Sequence, residues 1–246
     1  MQEITEKQRR TREKYAKKDS ISNKILVTMF SFLLISSIFV FGDRITKATN
    51  STNDIKIMIN PIQEELKNKT PFLKTFEGIN VVITPISKYS VAGRVVESYD
   101  YSTSVASFRN LISGKDNYNE VAIKDVAIAY GPMALEENHR KMTYIMSGAR
   151  RIEYAVEDTS LITELGDVEL IKTYITNNHL IAANEEIEEL IRKIDKDDYV
   201  QITGKLVNAS WGKGVYKYSL ETSLSRNDIG AGACEVIYVE DVKWIK

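Results

Sequence analysis

The chain has 246 residues, a single cysteine, and 33 Lys/Arg against 34 Asp/Glu, for a net charge of −1. One cysteine excludes an intramolecular disulfide. The lack of a positive balance argues against nucleic acid as a partner, since phosphate neutralisation draws on Lys and Arg.

Residues 1–24 form a basic arm in which Lys7, Arg9, Arg10, Arg12, Lys14, Lys17, Lys18 and Lys24 outnumber Glu3, Glu6, Glu13 and Asp19, leaving +4. Residues 25–42 then run for eighteen positions without a charge. At about 1.5 Å per residue a helix of that length covers roughly 27 Å, close to a hydrocarbon core. The run has no polar stripe of the kind a buried core helix carries, so it is read as a transmembrane helix. Phe39 to Asp43 lacks a small-x-small cleavage pattern, which makes it an uncleaved signal-anchor. The Lys/Arg bias places the N-terminus inside and the C-terminal region outside the cytoplasm. The arm is expected against anionic lipid headgroups. Without it, residues 43–246 hold 25 cations and 30 acids, an acidic region long enough to bury its own core.

Residues 43–53 read as a polar tether and 54–246 as an extracytoplasmic domain. Asn60-Pro61-Ile62-Gln63 carries a helix-start pattern, predicting a short helix to about Lys69. From Gly78 the texture turns to strand, with Asn80 to Thr84 and Tyr89 to Ser98 rich in Val, Ile and Tyr. A helix is expected around Ser104 to Ile112 and a strand over Ala122 to Tyr130. Glu136 to Tyr144 reads as loop or short helix, with His139 on a solvated surface. Strands are expected at Ile152 to Val156 and Asp167 to Ile175. Asn184 to Ile194 is the clearest helix, with an Asn cap, acids in its first turn, and Ile187, Leu190, Ile191 and Ile194 on one face. Tyr199 to Val207 is a strand interrupted by Gly204, which signals a bulge or tight bend such as a small barrel needs. A hairpin turns at Gly212 to Gly214, and Cys234 to Glu240 is a last strand. The string Tyr89 to Val96 is echoed at Tyr199 to Val207. That is either a chance likeness common in β proteins, two related β units, or one larger sheet. The fold class is therefore α+β: a transmembrane helix, then a mixed, mainly β domain with a barrel-like C-terminal part.

Candidate chemistry gathers in Ser223 to Glu235. Arg226, Asp228 and Glu235 surround Gly230 and Gly232, whose backbone N–H groups suit an anion cradle, and Cys234 is adjacent. The plainer alternative is an Arg–Asp bridge that holds a long hairpin, with Cys234 in the core. His179 is the candidate partner for Cys234 in a thiol–imidazole pair, against a structural hydrogen-bonded histidine. Trp211, at the hairpin tip, is either a ligand platform or packed onto the barrel. No C-x-x-C or H-x-x-x-H spacing occurs, so no metal and no cofactor is expected.

Several strings together resemble an uncharacterised family of bacterial proteins, often with one N-terminal membrane segment. They are Pro85 to Val96, Ala129-Tyr-Gly-Pro-Met, Ile145 to Arg151, Asn177-Asn-His-Leu-Ile-Ala-Ala, Gly204-Lys-Leu-Val and Ser223 to Val236. The likeness spans about Ile79 to Trp244. Tyr130 stands where the family has Trp, Ile152 where it has an aromatic residue, and Ile229 where it has Thr. The resemblance implies a bacterial origin and no particular activity. The Gly-x-Leu-Val strand and its hairpin also look like the opening of small OB-type barrels, an analogy of fold alone.

These features lead to an expected single-pass inner-membrane protein with a binding or assembly role in the envelope. Arg226 to Glu235 and Trp211 would form its surface, and another envelope protein would be its partner. The rival reading is a hydrolase or transferase with Cys234 as nucleophile and His179 as base.

Overall fold

The computed structural model describes residues 60–101, 118–147, 150–213, 216–225 and 234–245. All belong to a compact unit spanning Asn53–Lys246. The basic arm, the apolar run at 25–42, the helix expected near Ser104 and the loop residues Arg226, Asp228, Gly230 and Gly232 lie outside the described residues. No helix among the described residues is long and apolar enough to cross a membrane.

The domain is mainly β, and the barrel takes up far more of it than the C-terminal part. β3 (Ile79–Asp100), β4 (Lys124–Ala129), β7 (Ile175–Ala182), β10 (Glu235–Trp244) and β8 (Tyr199–Lys213) pair in that order. β3 also pairs with β8, which closes the ring. All pairings are antiparallel except β7 with β10. Numbering the five barrel strands along the chain, their spatial order is 1-2-3-5-4-1, and an eight-residue helix, α5 (Glu185–Arg192), connects the third to the fourth. β9 (Tyr216–Leu220) extends β8 as a hairpin. β1 (Ile62–Glu65) and β2 (Phe72–Phe76) lie along the β3 edge that further on pairs with β4.

Two elements differ from what local signals predict. The Asn-Pro start at residue 60 leads into β1 rather than a helix, and Ile62↔Ser90 to Glu65↔Ser87 pair along β3. An open sheet edge outweighs a weak helix nucleus of this length. Asp167 to Ile175, whose alternation suggests a strand, holds α4 (Val168–Lys172), because the Asp167 side chain caps it by accepting from Leu170 N at 2.9 Å.

The barrel interior is apolar, with Val91, Val95, Val126, Ile128, Leu180, Ile202, Leu206 and Ile237 packed on Ile187, Ile191 and Ile194 at the α5 end. The cap of α5 is Asn184, accepting from Ile187 N at 2.9 Å. Two glycines allow the wall to curve. A Cβ on Gly204 would meet the Tyr238 carbonyl oxygen at 2.1 Å, and one on Gly93 would meet that of Ala129 at 2.2 Å. The register of β10 shifts between Val239 and Asp241, directly beyond the Gly204 pairing. The echoed strings are neighbours in this wall, with Tyr89 opposite Gly204 and Arg94 opposite Tyr199.

Outside the ring, two apolar layers cover the wall. β5 (Met142–Ser147) and β6 (Arg151–Val156) form a separate hairpin. With α3 (Ser160–Leu165) and α4 it packs Met142, Tyr144, Leu161 and Ile171 on Val96, Ala127 and Ala129. Elsewhere Phe72, Phe76, Trp211 and Leu220 pack on Val81, Ile83, Val207 and Val236. Between the β3 and β4 strands lie residues 102–117, outside the description, and a single helical turn, α1 (Tyr118–Val121). After β4 come a 3-10 turn at Gly131–Ala134 and α2 (Glu136–His139).

Candidate functional site

The candidate site begins with a charged pair inside an apolar strand. Every residue of β4 is buried, and alternation sends Val126 and Ile128 inward and Asp125 the other way. Asp125 is fully buried and sits directly opposite His179 in the β4–β7 register. His179 Nδ1 lies 2.8 Å from Asp125 Oδ1. The same carboxylate accepts from Tyr101 OH at 2.7 Å and from an Arg150 guanidinium nitrogen at 2.9 Å.

Arg150 comes from the turn between β5 and β6, in the left-handed region at φ 58°, a conformation that non-glycine residues rarely hold away from functional or tightly constrained places. Its guanidinium also donates to Ala122 O at 3.0 Å and stands 4.0 Å over the Tyr101 ring. Its carbonyl accepts from Asn177 Nδ2 at 3.1 Å and from the Cys234 thiol at 3.8 Å. Asn177 Nδ2 is 3.2 Å from that sulfur. Cys234 itself is only partly buried.

Opposing effects set the charges. Burial disfavours a charged His179, but the Asp125 carboxylate and its hydrogen bond push the imidazole up to about 9. Burial likewise opposes ionisation of Asp125, yet the His179 and Arg150 charges and the bonds from His179 and Tyr101 hold it below the usual carboxylate range. Tyr101 is held in its neutral form by burial and by Asp125. At neutral pH one anion thus faces two cations.

The other sequence-predicted residues separate. Glu235, next to Cys234 on the strand, points to the opposite face and accepts from Thr176 Oγ1. Trp211 is 6% exposed and stacks on Tyr218, ring centroids 6.0 Å apart, instead of standing at an exposed tip. His139 is buried, not solvated. It stacks on Tyr144 at 5.3 Å and lies 3.7 Å from Asp197. Burial and the Arg94 guanidinium push it down to about 4, against the pull of Asp197. Arg94, also buried, bridges Asp197 at 2.6 Å and Glu136. The linear sequence offers one sign of Asp125, a Lys-Asp pair inside an apolar run. For Tyr101, Arg150 and Asn177 it offers none.

A separate cleft of about 900 Å³ opens between the β2–β3 turn and the start of α5. Phe76, Tyr101, Ile123 and Ala182 line it, with Glu77, Glu120, Glu185, Glu186 and Glu188 against Lys74 and Arg192. Both cations are engaged. Lys74 Nζ donates to Ala183 O and stands 5.5 Å over the Phe76 ring. Arg192 bridges Glu188 at 2.7 Å. Tyr101 belongs to both cleft and cluster.

No family model, no curated protein and no solved structure matches this chain.

Proposed function

We propose that this chain is a membrane-tethered OB-type barrel that acts as a binding module outside the cytoplasm of a bacterium. The 1-2-3-5-4-1 closure with a helix between the third and fourth strands supports the OB-type assignment. The charge-free run at 25–42 behind a +4 arm supports a single inner-membrane pass with the barrel outside. On this reading the arm rests on the inner leaflet and the barrel holds a second envelope protein close to the bilayer.

One observation carries the binding role: the cleft has five carboxylates and two cations that are already spoken for. Such a concave, acidic, partly aromatic surface suits a basic segment of a partner and repels polyanions. A polyphosphate backbone would meet like charge there.

The test uses the full chain in nanodiscs of neutral phosphatidylcholine with labelled oligolysine and oligoglutamate. Oligolysine is expected to bind, with affinity falling as salt rises, and oligoglutamate to stay free. The double variant Glu185→Lys, Glu186→Lys should abolish binding. Oligolysine binding that survives this reversal, or fails in the unaltered chain, overturns the reading.

A further inference from the structure

One cation in the cleft wall stands in an apolar setting. β2 reads Phe72-Leu73-Lys74-Thr75-Phe76, and alternation puts Phe72, Lys74 and Phe76 on one face. That face is partly buried, while Leu73, on the other, is 65% exposed. Phe72 and Phe76 pack on the apolar layer around Val81, Trp211 and Tyr238. A lysine between them gives up hydration that an aliphatic side chain would not have, and burial pushes its amine below the usual range.

The ammonium nevertheless has a well-formed place. Lys74 Nζ donates to Ala183 O and stands 5.5 Å from the Phe76 ring centre and 5.7 Å from that of Tyr238, within the reach of cation–π attraction. Tyr238 OH donates to the same carbonyl at 3.4 Å, and Phe72 meets the Tyr238 ring edge-on at 5.4 Å. Two rings and a carbonyl thus surround one cationic head at the border of the cleft, which Lys74 and Phe76 both line.

The strand that brings Lys74 there is lightly held. β2 is an edge strand that pairs with β3 alone. The turn that joins them, Glu77-Gly78, has φ of 45° and 81°, and a glutamate resists that left-handed region. Short edge pieces lie at the low-stability end of a fold. The ring itself closes through β3, β4 and β8 without β2.

We propose that Phe76, Tyr238 and the Ala183 carbonyl form a seat for a lysine ammonium of the cleft's partner, and that Lys74 fills this seat in the free protein as a built-in stand-in. The proposal rests on the cleft reading above. The partner's lysine takes over the rings and the carbonyl as Lys74 swings out to water. Its neighbouring cations meet Glu77, Glu185 and Glu186. Lys74 has the advantage of being tethered beside its seat, so a lone amine competes poorly. A run of lysines competes well, because each further cation adds attraction to the carboxylates. The seat therefore selects a multiply charged segment.

The test uses the full chain in the same neutral nanodiscs. Lys74→Met should bind labelled oligolysine about tenfold more tightly than the unaltered chain, the gain expected if the stand-in leaves the seat open about one-tenth of the time. Removing a positive charge from an acidic cleft also favours a polycation, so a second change separates the two effects. Phe76→Leu, added to Lys74→Met, alters no charge and should weaken binding about fivefold, the worth of one cation–π contact. A third measurement needs no variant of the cleft. In detergent micelles, with lysines isotope-labelled at Cε, the Lys74 signal should be set apart by the two rings; its loss in Lys74→Met assigns it. It should move to the position of exposed lysines as unlabelled oligolysine saturates the cleft. A Lys74 signal that stays in place at saturation overturns the proposal, and so does a ring change that leaves affinity unaltered. Those outcomes leave the cleft reading standing, whereas oligolysine binding absent from both the unaltered chain and Lys74→Met overturns the cleft reading and this one with it.

Discussion

His179 Nδ1 stands 2.8 Å from Asp125 Oδ1, and the two residues are direct cross-strand partners in β7 and β4. The contact is therefore set by sheet register, since a slip of one residue would turn one partner to the opposite face. The register carries the imidazole to the carboxylate, while the β7–β10 pairing, in which Glu235 faces Asn178, leaves Cys234 beside Asn177.

The two histidines should give the fold a stability maximum close to pH 6.5. His179, at about 9 in the folded state, is raised above its unfolded value of about 6.5. Its contribution is complete below pH 6.5 and is lost as pH rises through 9. His139, at about 4, is depressed. The unfolded chain takes up that proton more readily, so stability falls as pH drops from 6.5 towards 4. Thermal melts from pH 4 to 10 should show both limbs, and His139→Gln should flatten the acid one. A monotonic rise in melting temperature across that range would contradict the assignment.

Asp125→Ala should cost about 3–5 kcal/mol, the range for removing one side of a buried ion pair. It leaves Arg150 and His179 facing each other without their shared anion. Arg150→Ala should cost less, because Asp125 keeps its bonds from His179 and Tyr101. Urea unfolding of the two variants measures the difference, and equal losses would show that Asp125 is not the centre of the cluster.

Gly204→Ala and Gly93→Ala should each destabilise by about 3 kcal/mol, the upper end for overpacking. In both cases the new methyl meets a backbone carbonyl, which has no rotamer by which to move aside. Gly78→Ala is the control. No atom lies within 4 Å of its added Cβ, so only its φ of 81° resists the change. That should cost about 1 kcal/mol. Chemical denaturation of the three variants should rank them in that order.

In a Cys234→Ser background, a cysteine placed at Ser51 should react with a membrane-impermeant maleimide in spheroplasts, and one at Thr11 should not. The opposite pattern would put the barrel in the cytoplasm and overturn the proposed topology.

The most legible element was α5, because its cap, first-turn acids and apolar face all agree. The strands of the barrel were legible from β-branched residues and from Gly204, but the ring was not. Its closure depends on β3 pairing with β8 and on β7 running parallel to β10, which local patterns do not encode. Helix α4 and strand β1 went the other way from their patterns, one through a single capping aspartate and the other through an available edge. At the site, Cys234 and His179 were readable as rare residue types. Asp125 was hidden by its apolar neighbours. Arg150 and Asn177 act through tertiary placement of a turn carbonyl and an amide, which leaves no linear trace. Trp211 and His139 looked exposed because their neighbours are polar, yet both are covered by aromatic rings that come from other elements or from later in the chain.

The length of β3 has a consequence for how the chain reaches this structure. One strand holds β1, β2 and β4 along one edge and β8 along the other. The contact between Ser90 and Thr203, 113 positions apart, is made across the β3–β8 pairing. During synthesis the β8 edge of β3 stays open until β8 has been made. Closing such long loops is slow, and an open strand edge invites pairing with another chain. Refolding should therefore be limited by barrel closure, and its yield should fall as protein concentration rises.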